Sequence, residues 1–142
     1  MKMSLPMLVA VLALGACASA GSPRDADKLA LYRANAGAPV SSFRFFGGVN
    51  SWTSLGDSAL AVWTKPNEAY LLDLFGPCNE LEFSHTIGLT EQASRVYAGF
   101  DKVLVRSSSA INIPCRIETI RPLDIKAIKS AERDARAQDS GT

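Results

Sequence analysis

One stretch, Ala59 to Cys78, decides most of what this chain can become. It reads Ala-Leu-Ala-Val-Trp-Thr, then Lys65-Pro66-Asn67, then Glu-Ala-Tyr-Leu-Leu-Asp-Leu, and closes on Phe75-Gly76-Pro77-Cys78. In the first run Leu60, Val62 and Thr64 share one face, with Ala61 and Trp63 on the other. In the second, Tyr70, Leu72 and Leu74 share a face, because successive side chains of a strand point to opposite sides. Pro66 fixes φ and Asn67 tolerates positive φ, so the link is a turn and the pair a β-hairpin. Val49 to Leu55, carrying Trp52, reads as a strand that turns through Gly56-Asp57-Ser58 into the hairpin. Three strands with short links predict an antiparallel meander.

The N-terminus is an address. Met1-Lys2-Met3 supplies one positive charge, and Leu5 to Leu14 is apolar but for Pro6. That run is too short for a membrane-spanning helix, which needs about 20 residues. A charged start, a short apolar run and small residues at its end describe a secretory signal peptide. Its end, Leu14-Gly15-Ala16-Cys17, resembles the lipobox of bacterial lipoproteins. The resemblance implies cleavage before Cys17, acylation of that cysteine and, with Ala18 rather than Asp following, sorting to the outer membrane. The alternative is an ordinary secreted protein in which Cys17 is incidental. Several acyl chains anchor stably where one alone is marginal. The expected organisation is a leader over 1–16, an acylated tether over 17–23, one globular domain over 24–138 and a frayed tail over 139–142.

Length and charge bound the rest. A chain of 142 residues has room for one domain with a modest core, and 47% hydrophobic with 20% charged residues argues against disorder throughout. Formal net charge is +1, and loss of Lys2 with the leader leaves basic and acidic residues balanced. Nucleic-acid binding needs clustered cations to displace counterions, so this balance excludes it as a leading reading.

Around the meander, Arg24 to Ala36 spaces Leu29, Tyr32, Arg33 and Ala36 as a short amphipathic helix capping the sheet, stopped by Gly37 and Pro39. Ser42 to Phe46 puts Phe43 and Phe45 on one face and Arg44 and Phe46 on the other, before Gly47-Gly48. Pro77 to Phe83 fits a single helical turn, and Ile87 to Gln92 reads as loop. Arg95–Tyr97 and Asp101–Arg106 read as strands, Ser107 to Ser109 as a mobile solvated loop. Pro114 to Ile120 reads as a strand with Cys115, Ile117 and Thr119 on one face. After Pro122 the period turns helical, with Asp124 near the start, a stripe of Leu123, Ala127, Ile128, Ala131 and Ala135, and a Glu132–Arg136 pair; the end frays from Gln138.

With Cys17 assigned to lipid, Cys78 and Cys115 form an even pair in an oxidising compartment, and a disulfide is the expectation. A redox pair would ordinarily be Cys-x-x-Cys, and a zinc site would need further ligands where His85 is the sole histidine. His85, beside Ser84, is a candidate general base, but no nucleophile turn accompanies it and a surface loop is the simpler reading. Asp57 is a turn residue and Asp73 an outer-face strand position. Asp101 alternates with Val103 and Val105, which predicts a buried carboxylate bonding the backbone of a neighbouring loop rather than a catalytic acid. Trp52, Trp63, Tyr70, Phe43, Phe45 and Phe46 gather in and before the meander; they read as core or as the lining of a ligand groove. Gly47-Gly48 is no phosphate loop, lacking the Lys and helix such a loop needs.

The runs Glu68-Ala69-Tyr70-Leu71-Leu72, Gly76-Pro77-Cys78 with Leu81 and Phe83, Gly99-Phe100-Asp101-Lys102-Val103 and Cys115-Arg116-Ile117-Glu118-Thr119-Ile120 resemble a family of small, uncharacterised proteobacterial envelope proteins, domain of unknown function family 6491. The resemblance covers roughly Phe43 to Pro122. Members often carry a second cysteine pair, one of them just before the position of Asp101, where this chain has Gly99 and Phe100. The family implies a fold and a place and brings no activity.

The expectation is therefore an α+β domain: an antiparallel sheet of five or six strands, open or curled into a partial barrel, between an N-terminal and a C-terminal helix. Its expected role is a non-catalytic binding or accessory module, held to the membrane by lipid at the periplasmic side of the envelope, with an envelope protein as partner. A small-ligand binder using Trp52, Trp63 and Tyr70, with Asp101 as a further candidate contact, is the alternative. A hydrolase-like enzyme using His85 or Asp101 is the third. No cofactor and no metal is expected.

Overall fold

The computed structural model describes residues 23–106 and 111–141. The leader, residues 17–22 of the tether with Cys17, and the Ser107–Ser109 loop lie outside the described residues, while Pro23 already opens the first helix. Helix α1 spans Pro23–Ala34 and α2 spans Ile125–Asp139. Between them lie β1 (Ser42–Arg44), β2 (Ser51–Ser54), β3 (Ala59–Lys65), β4 (Glu68–Leu74), β5 (Ile87–Leu89), β6 (Arg95–Tyr97), β7 (Lys102–Arg106) and β8 (Asn112–Pro122). One 3-10 turn, Leu81–Phe83, follows the Pro77-Cys78 segment. The α+β class expected from the sequence is what is found.

Six strands form one antiparallel, curled half-barrel sheet in the order β2-β3-β4-β8-β7-β5. The meander is its first half. Trp52 pairs with Val62 and Val62 with Tyr70, so these three side chains form a row across one face. That face holds the larger core, in which Leu60, Leu72, Val103, Val105, Ile117 and Ile120 are wholly buried. β1 and β6 form a separate two-stranded ribbon whose inward residues, Phe43 and Val96, close this core.

The opposite face is covered by the helices. Tyr32 and Ile128 pack on Leu55, Ala59, Ala61 and Leu71, and Tyr32 meets Trp63 edge-on at 6.3 Å. Small residues at 59 and 61 let the helices come close. Asp124 caps α2 by accepting the Ala127 N–H at 3.1 Å. Asp73, expected on an outer face, lies beneath α1: Arg33 reaches it at 2.9 Å and Thr119 donates to it at 3.0 Å.

Four expectations are corrected. Ile87 to Leu89 is a strand, not loop, pairing with β7 in the register Ile87↔Val105 and Leu89↔Val103. Three residues around Gly88 are too short to show alternation, and it is the long-range partner that makes them a strand. Thr119 does not share a face with Ile117, because the register with β4 slips between Asp73↔Thr119 and Leu74↔Ile117 and bulges Glu118 outward. α2 does not fray from Gln138; it runs to Asp139 and closes with the Ser140 N–H on the Arg136 carbonyl. Among the described residues Glu132 does not pair with Arg136 but accepts the Tyr32 hydroxyl at 3.5 Å.

That last contact has a pH signature. Burial, then the Glu132 charge and its hydrogen bond, push the Tyr32 phenol up to about 12. The fold keeps this proton while the unfolded chain loses it near the ordinary value of 10.0. The contribution of this phenol to stability is therefore intact below pH 10 and is lost as pH rises towards 12. Urea midpoints measured across that interval should fall for the native chain and fall less for Tyr32→Phe.

Candidate functional site

A cleft of about 400 Å³ opens where the β1–β6 ribbon meets the turn end of the β3–β4 hairpin. One wall carries Ser42, Arg44, Phe46 and Arg95; the other carries Thr64, Lys65, Glu68 and Tyr70. Between them Phe43 stacks on Tyr70, with ring centroids 4.5 Å apart and planes 14° from parallel. Such offset stacking holds the Tyr70 ring in place as a floor.

The cationic wall follows from register. Phe43 faces inward, so its neighbours Ser42 and Arg44 face outward, and β6 pairs so that Arg44 lies directly opposite Arg95. Like charges opposed across two strands destabilise the pairing, and among the described residues neither arginine makes an ion pair. The Arg95 guanidinium is held by two bonds to Ser42 Oγ, from Nε at 3.1 Å and Nη2 at 2.9 Å. Arg95 is also the last residue of a tight turn. Ala93 and Ser94, its central pair, have φ of 49° and 60°, and Gln92 and Arg95 exchange both backbone hydrogen bonds. This turn shape favours Asn-Gly; Ala-Ser adopts it at a cost of about 1–2 kcal/mol per residue. Strain of this kind persists where the surroundings fix it, and here it sets where Arg95 enters the cleft.

On the second wall Glu68 Oε1 accepts the Thr64 hydroxyl at 2.7 Å and the Tyr70 hydroxyl at 3.4 Å, while Lys65 Nζ lies 3.6 Å from Oε2. The Thr64 bond chiefly, with Lys65 and Tyr70 assisting, outweighs burial and holds the Glu68 carboxyl below the usual range. Burial foremost, then Glu68, raises the Tyr70 phenol, and only Arg95 opposes this. At neutral pH Glu68 is therefore an anion and Tyr70 a neutral donor. A carboxylate with lowered proton affinity is a weak general base, so the arrangement suits holding a ligand more than moving its protons.

The residues singled out from sequence are distributed differently. Trp52 and Tyr70 lie on the larger-core side, but Trp63 does not join them: it pairs with Ala69 on the helix-covered face and packs against Tyr32. The single aromatic cluster is thus two clusters on opposite sides of the sheet. Phe46 stands 74% exposed at the cleft rim. Asp101, 2% exposed, accepts the Tyr97 N–H and the Thr90 hydroxyl, each at 2.7 Å. It is the buried, backbone-bonding carboxylate expected. It borders a second hollow of about 450 Å³ beside Thr90 and Arg116, with both its oxygens already engaged. His85 is exposed, and the Ser84 hydroxyl bonds the Thr86 and Arg106 carbonyls, so Ser84, His85 and Asp101 assemble no relay.

The Cys78 and Cys115 sulfurs meet at disulfide distance, with Cα atoms 5.8 Å apart. Among the described residues no three His, Cys, Asp or Glu side chains group as metal ligands do, and no helix is long and apolar enough to cross a membrane. Sequence reasoning did not reach Arg44, Lys65, Glu68 or Arg95. The alternation Phe-Arg-Phe at 43–45 marks Arg44 as outward, but nothing in the chain announces that β6 would be its partner.

No curated protein and no solved structure matches the chain. The profile of the Family of unknown function (DUF6491) matches residues 1–139. With nearly the whole length covered, the chain belongs to that family.

Proposed function

We propose that the chain is an envelope lipoprotein, acylated at Cys17, whose domain is a non-catalytic binding module working through the ribbon–hairpin cleft. The Leu14-Gly15-Ala16-Cys17 pattern supports the anchor. The observation that carries the binding role is the cleft itself, where cations and hydrogen-bond donors surround a fixed aromatic floor. The module faces the periplasm on its lipid, with an envelope component as its partner. The Phe43–Tyr70 stack favours a small ligand over a flat protein contact as occupant of the cleft itself.

Two readouts test this in cells. Labelled palmitate should enter the native protein and be lost entirely in Cys17→Ala, which should leave the membrane fraction; an unlabelled native protein overturns the anchor. Cross-linking in intact cells should return one reproducible envelope partner that Cys17→Ala loses. A clean preparation without partner removes the protein-partner form of the proposal.

A further inference from the structure

Resting on the binding-module reading, we infer that the cleft takes a small organic anion, its charged group between Arg44 and Arg95 and its apolar body over Tyr70 and Phe46. Three observations converge on this. First, two arginines face one another across the ribbon without a counter-ion among the described residues. A bound carboxylate, sulfonate or phosphate would accept from both and convert their repulsion into attraction. Second, the one carboxylate in the cleft is committed: Thr64, Tyr70 and Lys65 all converge on Glu68. Counting Arg44, Lys65 and Arg95 against Glu68, the lining keeps an excess of positive charge in a chain whose net charge is only +1. Third, the rim carries a large exposed aromatic, Phe46 at 74%, beside the stacked Tyr70. An inorganic ion would leave both rings uncovered; an anion with an apolar body covers them. A space of about 400 Å³ suits a ligand of that kind.

The pre-set geometry points the same way. Ser42 fixes the Arg95 guanidinium by two bonds, and the strained Ala93-Ser94 turn delivers it. An arginine positioned before the ligand arrives loses less freedom on binding.

Calorimetric titration of the purified full chain with 1-naphthoate and with the uncharged 1-naphthylmethanol tests the inference. The naphthoate should bind more tightly by about tenfold or more, the size of a charge-assisted hydrogen bond, with affinity falling as salt rises. Arg44→Gln should bring the two probes to within about twofold of one another, and Arg95→Gln should do the same. Arg44 is exposed and holds no ion pair among the described residues, so its variant keeps the fold, which circular dichroism checks. Lys129→Gln, on α2 away from the cleft, should leave the preference unchanged. Equal affinity for the two probes, or a preference that survives both arginine variants, overturns the anion class while leaving a binding cleft. No binding of either probe overturns the inference outright, and the Cys17-dependent partner capture then still decides the broader proposal separately.

Discussion

Replacing Cys78 and Cys115 together by Ala is expected to lower the unfolding free energy by about 4 kcal/mol, read from urea denaturation under oxidising conditions. The bond closes a segment of 37 positions, and restricting that segment in the unfolded chain is the source of the effect. Its placement explains why so much hangs on it. The β4–β8 ladder ends at Leu74↔Ile117; beyond it the Phe75 N–H meets the Arg116 carbonyl at 3.1 Å and the Cys78 N–H meets the Asp57 carbonyl at 2.7 Å. The disulfide takes over one residue further along β8, next to the Val103↔Cys115 pair of β7. It thus fastens the meander half of the sheet to the half that carries β7 and β5. Dithiothreitol should act on the native chain as the double substitution does. A loss below about 1 kcal/mol would mean that the β4–β8 ladder and the core packing join the two halves without the bond.

The second large effect is expected at Asp101. Asp101→Ala removes the acceptor of the Tyr97 N–H and of the Thr90 hydroxyl in a site only 2% exposed, and should cost about 3 kcal/mol. The Thr90 hydroxyl oxygen in turn accepts the Lys102 N–H at 2.9 Å, so the carboxylate ties the end of β5 to the start of β7. Asp101→Asn keeps one acceptor oxygen and should cost about half as much. His85→Ala, on the exposed loop, should stay within about 0.5 kcal/mol of the native chain. Denaturation midpoints of the three variants rank them. Equal effects at His85 and Asp101 would contradict a purely structural carboxylate.

What could be read from the chain was local. The meander was legible because each strand alternates and each turn has its own residues, down to Pro66-Asn67. The burial of Asp101 was legible from its phase with Val103 and Val105. The same alternation sets Trp63 and Tyr70 on opposite faces once the hairpin register is followed, so the division of the aromatic residues into two groups is also a local property. Pairings between distant segments were not legible. β5 is three residues with no alternation to see, and the Glu118 bulge shows only against its partner strand. The cleft belongs to this second group, since its cationic wall exists only when β1 finds β6, 53 positions on from Ser42 to Arg95.

The strand order has a consequence for the anchored form proposed above. A sheet that does not close on itself leaves two edges, and each edge is a template on which another chain can add a strand. Here the edges are β2, four residues long, and β5, three residues long. The longest strand, β8, lies between β4 and β7, pairing with β7 over Asn112–Arg116 and with β4 from Ile117 to Pro122. Anchored by lipid as proposed, the domain would meet its own copies at high local density. Among the described residues the two edge strands offer runs of four and three residues, too brief to seed a shared sheet.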